Sequence, residues 1–167
     1  MKEEREIRFK AKIDLTEITK LMEGVPLNSF YIEDVYFDSE NYSFLRSEKG
    51  YRWRKIKEKE YYEYKEVREK KIYEKKYESL GSLIEEMIRR EKMLFIRKIV
   101  IKKKRWEWKK EGVVFVFDQI EGLGNFFEVE CESCDPEKEL KKINIPKGWL
   151  EKEKRGVSEI WFDENIK

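Results

Sequence analysis

Val116-Phe-Asp-Gln-Ile-Glu-Gly-Leu-Gly-Asn-Phe-Phe-Glu-Val-Glu130 is the part of this 167-residue chain that says most about its architecture. Two runs rich in β-branched and aromatic residues flank Glu121-Gly-Leu-Gly124, and both read as strands: Val113–Ile120 before it and the alternating Phe126–Glu132 after it. Gly122 and Gly124 read as turn residues between the two; a single G-x-G is weak evidence for a phosphate loop. In the second run Phe127, Val129 and Cys131 share one face, and Glu128, Glu130 and Glu132 share the other, because side chains two apart on a strand point the same way. Asp118 sits on the neighbouring run. The stretch is an antiparallel hairpin with one apolar and one acidic face.

The same pattern extends in both directions. Glu6–Ile13 alternates Ile7, Phe9, Ala11 and Ile13 against Glu6, Arg8, Lys10 and Lys12. Asp14 and Glu17 have capping-box spacing, and Leu15, Ile18, Leu21 and Met22 follow at helical intervals until Gly24. Val35–Asp38 is a short strand, and Tyr51–Lys57 and Tyr61–Val67 form a hairpin around Glu58-Lys-Glu60. Ile72–Tyr77 is a further strand. Leu80, Leu83, Ile84, Met87 and Ile88 make a helical stripe, and Phe95–Lys109 is a strand that leads back to the opening hairpin. Asp135-Pro136-Glu137 starts a helix, and a last short helix covers Ser158–Glu164. No linker and no internal repeat marks a boundary, so residues 1–167 read as a single domain. The expected class is α+β: roughly eight antiparallel strands in a sheet or barrel, with a few peripheral helices.

Composition bounds the chemistry. Aromatic residues make up 14% and apolar residues 40% of the chain, enough for a core despite 44% charged residues. The 38 basic and 36 acidic side chains nearly cancel, so bulk charge does not point to nucleic acid or to a membrane surface. No apolar run reaches the length of a membrane span and the first residues do not resemble a secretory signal, so the expectation is a soluble cytoplasmic protein. The Lys/Glu excess with a single Gln hints at a thermophilic source. Histidine is absent, which removes histidine-ligated zinc and any imidazole base. Cys131 and Cys134 are spaced C-x-x-C with no second half of a zinc site, and are read as an incidental pair at a strand end. A metal would have to be held by carboxylates, which favours Mg²⁺, Mn²⁺ or Ca²⁺.

The charged faces admit two readings. An antiparallel sheet with one solvated face explains alternation as such. Like charges at i, i+2, however, repel on an open sheet without gain, and this chain has Arg52/Arg54 and Lys103/Arg105. They make sense if the sheet curls around a polyanion gripped by Arg and Lys, with carboxylates holding a bridging cation. Trp106 and Trp108 read as packed strand aromatics in preference to a base-stacking platform. Arg68–Lys76 reads either as a solvated edge or as a flap.

Glu6-Ile-Arg-Phe-Lys10, Asp34-Val-Tyr-Phe-Asp38, Arg52-Trp-Arg54, Tyr64-Lys65, Lys103-Lys-Arg105 and above all Asp118…Glu-Gly-Leu-Gly…Glu128-x-Glu130 resemble successive motifs of the CYTH, or triphosphate tunnel metalloenzyme, superfamily. The likeness implies an eight-stranded antiparallel barrel and a Mg²⁺- or Mn²⁺-dependent hydrolase of inorganic tripolyphosphate, nucleoside triphosphates or thiamine triphosphate. Adenylyl cyclase activity and non-catalytic polyphosphate binding are the alternatives. It implies metal binding by Glu6, Asp118, Glu128 and Glu130. Triphosphate would bind to Lys10, Lys12, Arg52, Arg54, Lys65, Lys103, Arg105 and Arg155. The groups assigned to catalysis are Lys10, Arg52, Arg54, Lys65, Arg105, Glu128 and Glu130. The partner is a small triphosphate, with neither membrane nor nucleic acid, in a monomer or homodimer. The family's opening Glu-x-Glu-x-Lys fits in two registers: Glu6-x-Arg8-x-Lys10, which is preferred and puts Arg8 in place of an acid, or Glu4-x-Glu6-x-Arg8, which keeps both acids. Val157 stands where relatives often carry Tyr.

Overall fold

The computed structural model describes residues 2–69, 71–93 and 96–166. In chain order the elements are β1 (Lys2–Ala11), α1 (Leu15–Leu21), β2 (Asn28–Asp38), β3 (Lys49–Ile56), β4 (Lys59–Arg68), β5 (Lys71–Tyr77), α2 (Leu80–Glu91), β6 (Arg97–Lys110), β7 (Val113–Ile120), β8 (Gly124–Cys131), α3 (Pro136–Lys141), β9 (Leu150–Glu153) and α4 (Val157–Asn165). The hydrogen-bonded order is β5-β4-β3-β2-β6-β7-β8-β1-β9, with β5 also paired to β1. Eight strands therefore form a closed antiparallel ladder, the barrel topology expected from the sequence, and β9 is added beside β1. By contact density the chain divides into two compact units.

The unit containing Glu4–Tyr31 and Lys103–Lys154 is built on β7. Its register pairs Phe117 with Trp106 on β6 and with Phe127 on β8. The apolar face of these strands carries Phe115, Phe117, Phe127 and Val129, all almost completely buried with Ile18 and Met22 of the α1 segment. Burial of each such side chain stabilises by roughly 1.5–3 kcal/mol. The capping box is formed: Glu17 N–H donates to Asp14 Oδ1 at 2.9 Å and Asp14 N–H to Glu17 Oε1 at 3.3 Å. Gly122 and Gly124 both have positive φ, 75° and 102°, as a tight β7–β8 reversal requires.

Cys131 and Cys134 depart from expectation. They form a disulfide, with Cα atoms 5.8 Å apart. β8 ends at Cys131 and the chain turns at once toward Asp135, the N-cap of α3, which brings Cys134 back within bridging reach. Closing so short a loop contributes about 2 kcal/mol in the chain-entropy picture. Cys134→Ser is therefore expected to lower the urea-unfolding free energy by about that amount, and dithiothreitol should lower the wild type to match; unchanged midpoints would contradict it.

The unit containing Ile32–Lys102 and Arg155–Lys167 is built on β2 to β5. Val35, Phe37, Tyr51 and Tyr64 on one sheet face enclose Phe44 and the α2 side chains Leu83 and Met87. Those two helix residues are the centre of the expected stripe and are fully buried. Asp38 organises the loop after β2, accepting from the backbone N–H groups of Ser39 and Phe44 on Oδ1 and Leu45 on Oδ2. The β3–β4 turn is shorter than expected, two residues with Lys57 at positive φ. β2 is longer, because its first residues are exposed and lack the apolar alternation that marks a strand. β9 escapes a sequence reading for the same reason: Leu-Glu-Lys-Glu has hardly any pattern. Lys71 onward belongs to β5, paired to β4 with Val67 opposite Ile72, so most of Arg68–Lys76 is strand and not flap. The expected strand start at Phe95 lies outside the described residues. Among the described residues no helix is long and apolar enough to cross a membrane.

Candidate active site

Opposite the apolar face of the β7 unit, strand parity places Glu4, Glu6 and Arg8 on β1, Lys103 and Arg105 on β6, Asp118 on β7, and Glu128 and Glu130 on β8. Cross-strand register sets Glu6 against Glu130, Arg8 against Glu128 and Arg105 against Asp118. This face is not solvated. Asp118 is 0%, Glu128 2%, Lys103 5% and Arg105 7% exposed.

The charges alternate in sign along one chain of contacts. Arg8 donates from NH2 to Glu6 Oε1 at 3.0 Å and from Nε to Glu128 Oε1 at 2.7 Å. Arg105 grips Asp118 with both arms of its fork, Nε to Oδ1 at 2.8 Å and NH2 to Oδ2 at 2.7 Å. It also lies 3.9 Å from Glu128 Oε2, and Lys103 Nζ is 3.4 Å from Asp118 Oδ2. The repulsion expected of Lys103 and Arg105 is thus cancelled by carboxylates between them. Burial alone would raise the Glu128 and Asp118 carboxyls, but the neighbouring cations outweigh it. Arg8, Arg105 and Lys103 hold Glu128 well below the usual range, and Arg105 with Lys103 lowers Asp118. Glu130 goes the other way, pushed well up by burial and by the adjacent Glu128 charge.

Glu4, Glu6 and Glu130 converge separately. One carboxylate oxygen from each lies within 4.8 Å of the other two. The sequence-derived set was Glu6, Asp118, Glu128 and Glu130. In the structure Asp118 and Glu128 accept from arginines, and the convergent trio includes Glu4, the first acid of the Glu4-x-Glu6-x-Arg8 register. Lys10, partly buried on β1, has no carboxylate partner among the described residues. Lys12 falls past the end of β1, so the strand parity no longer governs it; it is exposed and pairs with Glu151 at 3.4 Å.

The β2–β5 unit carries a charged set of its own. Arg54 is bidentate on Asp34 at 2.7 and 2.8 Å, and Arg52 pairs with Glu63. Lys65 lies across from Glu74 in the β4–β5 register, and Arg155 reaches Asp163 at 2.7 Å. Arg52 and Arg54, like the β6 pair, are balanced and not left to repel. Asp34 and Glu63 were not singled out as site residues. Their pairing depends on register between strands, which no local spacing encodes.

A model of the CYTH domain matches residues 2–156. The chain belongs to the CYTH domain family. A conserved hypothetical protein of Pyrococcus furiosus is similar, at 25% identity over 94% of this chain and 99% of its own, with a TM-score of 0.66. A Pyrococcus horikoshii protein is 20% identical over 96% of this chain and 98% of its own, with a TM-score of 0.67. A Hippeastrum protein, studied as an adenylyl cyclase and described as having a dominant triphosphatase activity, is 17% identical over 98% and 96% of the two chains, with a TM-score of 0.68. No curated protein matches the sequence.

In this CYTH domain Glu63 gives a measurable acid signature. Burial opposes its ionisation, but Arg52 more than compensates, with Arg54 and Lys65 adding to it, and the carboxyl falls from 4.5 to about 2. A depressed carboxyl stabilises the fold above its unfolded value and loses that contribution as pH falls through the folded one. Stability on the order of 3 kcal/mol should therefore disappear between about pH 4.5 and pH 2. Glu63→Gln is expected to flatten that part of the urea-stability profile; an identical acid limb would count against the assignment.

Proposed function

We propose that the chain is a divalent-cation-dependent hydrolase of triphosphate compounds. The observation that supports this most is the trio Glu4, Glu6 and Glu130 beside the half-buried Arg8 and the buried Lys103 and Arg105. A set of carboxylate oxygens alone suits a hard cation such as Mg²⁺ or Mn²⁺. Glu4, Glu6 and Glu130 would hold it, and when bound it supplies charge neutralisation on phosphoryl oxygens. Lys10, whose ammonium has no carboxylate partner among the described residues, grips a phosphate oxygen as a point charge. Arg8 and Arg105 place guanidinium charge beside the trio, where it would stabilise charge developing on a transferred phosphoryl group. Asp118 and Glu128 keep those guanidiniums in place. Arg52, Arg54 and Lys65 enter the proposal as further phosphate-gripping groups, on the strength of their own buried set.

The test is phosphate release from tripolyphosphate, ATP and thiamine triphosphate by the purified chain with Mg²⁺ or Mn²⁺. Turnover that stops on addition of chelator is the expected result. Cyclic AMP and pyrophosphate from ATP would make the protein a cyclase instead. Absence of turnover on all three compounds would overturn the reading.

A further inference from the structure

We propose that Gly50 and the ring of Tyr36 form the seat for a flat heterocyclic group carried by a triphosphate, so that a nucleoside triphosphate is held at both of its ends and inorganic tripolyphosphate at one. The inference rests on the function just proposed, in which Arg52, Arg54 and Lys65 grip phosphate. Gly50 is the second residue of β3 and shares a sheet face with Arg52 and Arg54, since residues two apart on a strand point the same way. A strand keeps a glycine where φ is positive, where a bulge bends the chain or where something must come close to the backbone. The first two reasons fail here. Gly50 is not one of the positive-φ glycines, and the pairing of β3 with β4 runs through it residue by residue. Packing does not ask for it either. Among the described residues a Cβ at this position would meet only Tyr36 Cδ1, at 3.9 Å, an ordinary van der Waals contact. What the glycine preserves is open space on the charged face, with an aromatic ring as its one near wall.

Register says what surrounds that space. Tyr36 is half-buried and stands opposite Arg52, while Lys65 stands opposite Gly50 itself. A phenol ring and two of the phosphate-gripping groups therefore lie within one cross-strand step of the bare backbone. A planar aromatic heterocycle gains from stacking on such a ring, and its phosphate chain can run on toward the neighbouring cations. Tripolyphosphate has no group to place there.

Calorimetric titration with Mg²⁺ present tests this, using tripolyphosphate and the non-hydrolysable ATP analogue with a β,γ-imido bridge. Gly50→Val fills the space with a side chain that strands accept, and should weaken the analogue about 10-fold while tripolyphosphate binding stays within about 2-fold. Tyr36→Leu should weaken the analogue by a similar factor, whereas Tyr36→Phe keeps the ring and should bind it as the wild type does. Thermal melting verifies that the three variants fold. An analogue affinity untouched by Gly50→Val, an equal loss for both ligands in that variant, or a Tyr36→Phe that loses as much as Tyr36→Leu would each overturn the inference. Where the wild type still hydrolyses triphosphate, such a result leaves the proposed function standing. A wild type that neither hydrolyses nor binds either compound shows instead that the proposed function has failed, and the inference falls with it.

Discussion

Glu130→Gln should reduce metal-dependent triphosphate hydrolysis on the order of 10²–10³-fold, the loss of several kcal/mol of charge stabilisation that a held cation provides. The side chain keeps its shape and sheds its charge, so the β1–β8 pairing of Glu6 with residue 130 should persist. The fold should not suffer. Burial and the neighbouring Glu128 charge oppose ionisation of Glu130, so a neutral amide fits there at little cost. The same variant should lose the rise in melting temperature that Mn²⁺ gives the wild type, since only a ligand that binds the folded state stabilises it by mass action. Melting curves with and without Mn²⁺ check this independently of any substrate. A variant with wild-type turnover and a wild-type Mn²⁺ response would show that Glu130 holds no cation.

Asp118→Ala should cost the most stability, about 3–5 kcal/mol, because it leaves Arg105 and Lys103 buried without the carboxylate both face. The penalty comes from stranded charge more than from lost attraction. Asp118→Ala/Arg105→Met removes one of the stranded cations and should recover part of the loss, which a simple cavity would not allow. Urea denaturation of the three proteins gives the comparison. A cost below about 1 kcal/mol for Asp118→Ala would mean that water reaches the pair, contrary to the 0% exposure of Asp118.

Much of this was legible in the residues. Alternation in β8 and from Glu6 onward in β1 identified the apolar and charged faces, and the like-signed neighbours Lys103 and Arg105 argued against a solvated sheet. Side-chain parity, however, says which face a residue occupies and nothing about what stands opposite it. That depends on register, so the pairing of Arg105 with Asp118, of Arg8 with Glu128 and of Arg52 with Glu63 could not be read. Asp118 and Glu128, read from the sequence as metal ligands, each accept from an arginine in the structure, a pairing that parity does not encode. Glu4 belongs to the second of the two registers the first strand allows, and its approach to Glu6 and Glu130 depends on strand pairing. The cysteine bridge was missed for a related reason: C-x-x-C spacing permits a bond only if the chain reverses between the two, and that turn follows from where β8 stops. β9 has too few residues and too little contrast to be seen.

The mutual burial of guanidinium and carboxylate groups has a practical corollary for handling the protein. Dissolved ions screen charges that water can reach and leave enclosed pairs nearly untouched. Raising potassium chloride should thus leave the contribution of the enclosed pairs to the denaturation midpoint nearly unchanged, while exposed pairs such as Lys12–Glu151 lose theirs. A single inexpensive reagent would then tell the enclosed ion pairs from the exposed ones by what each adds to the folded state.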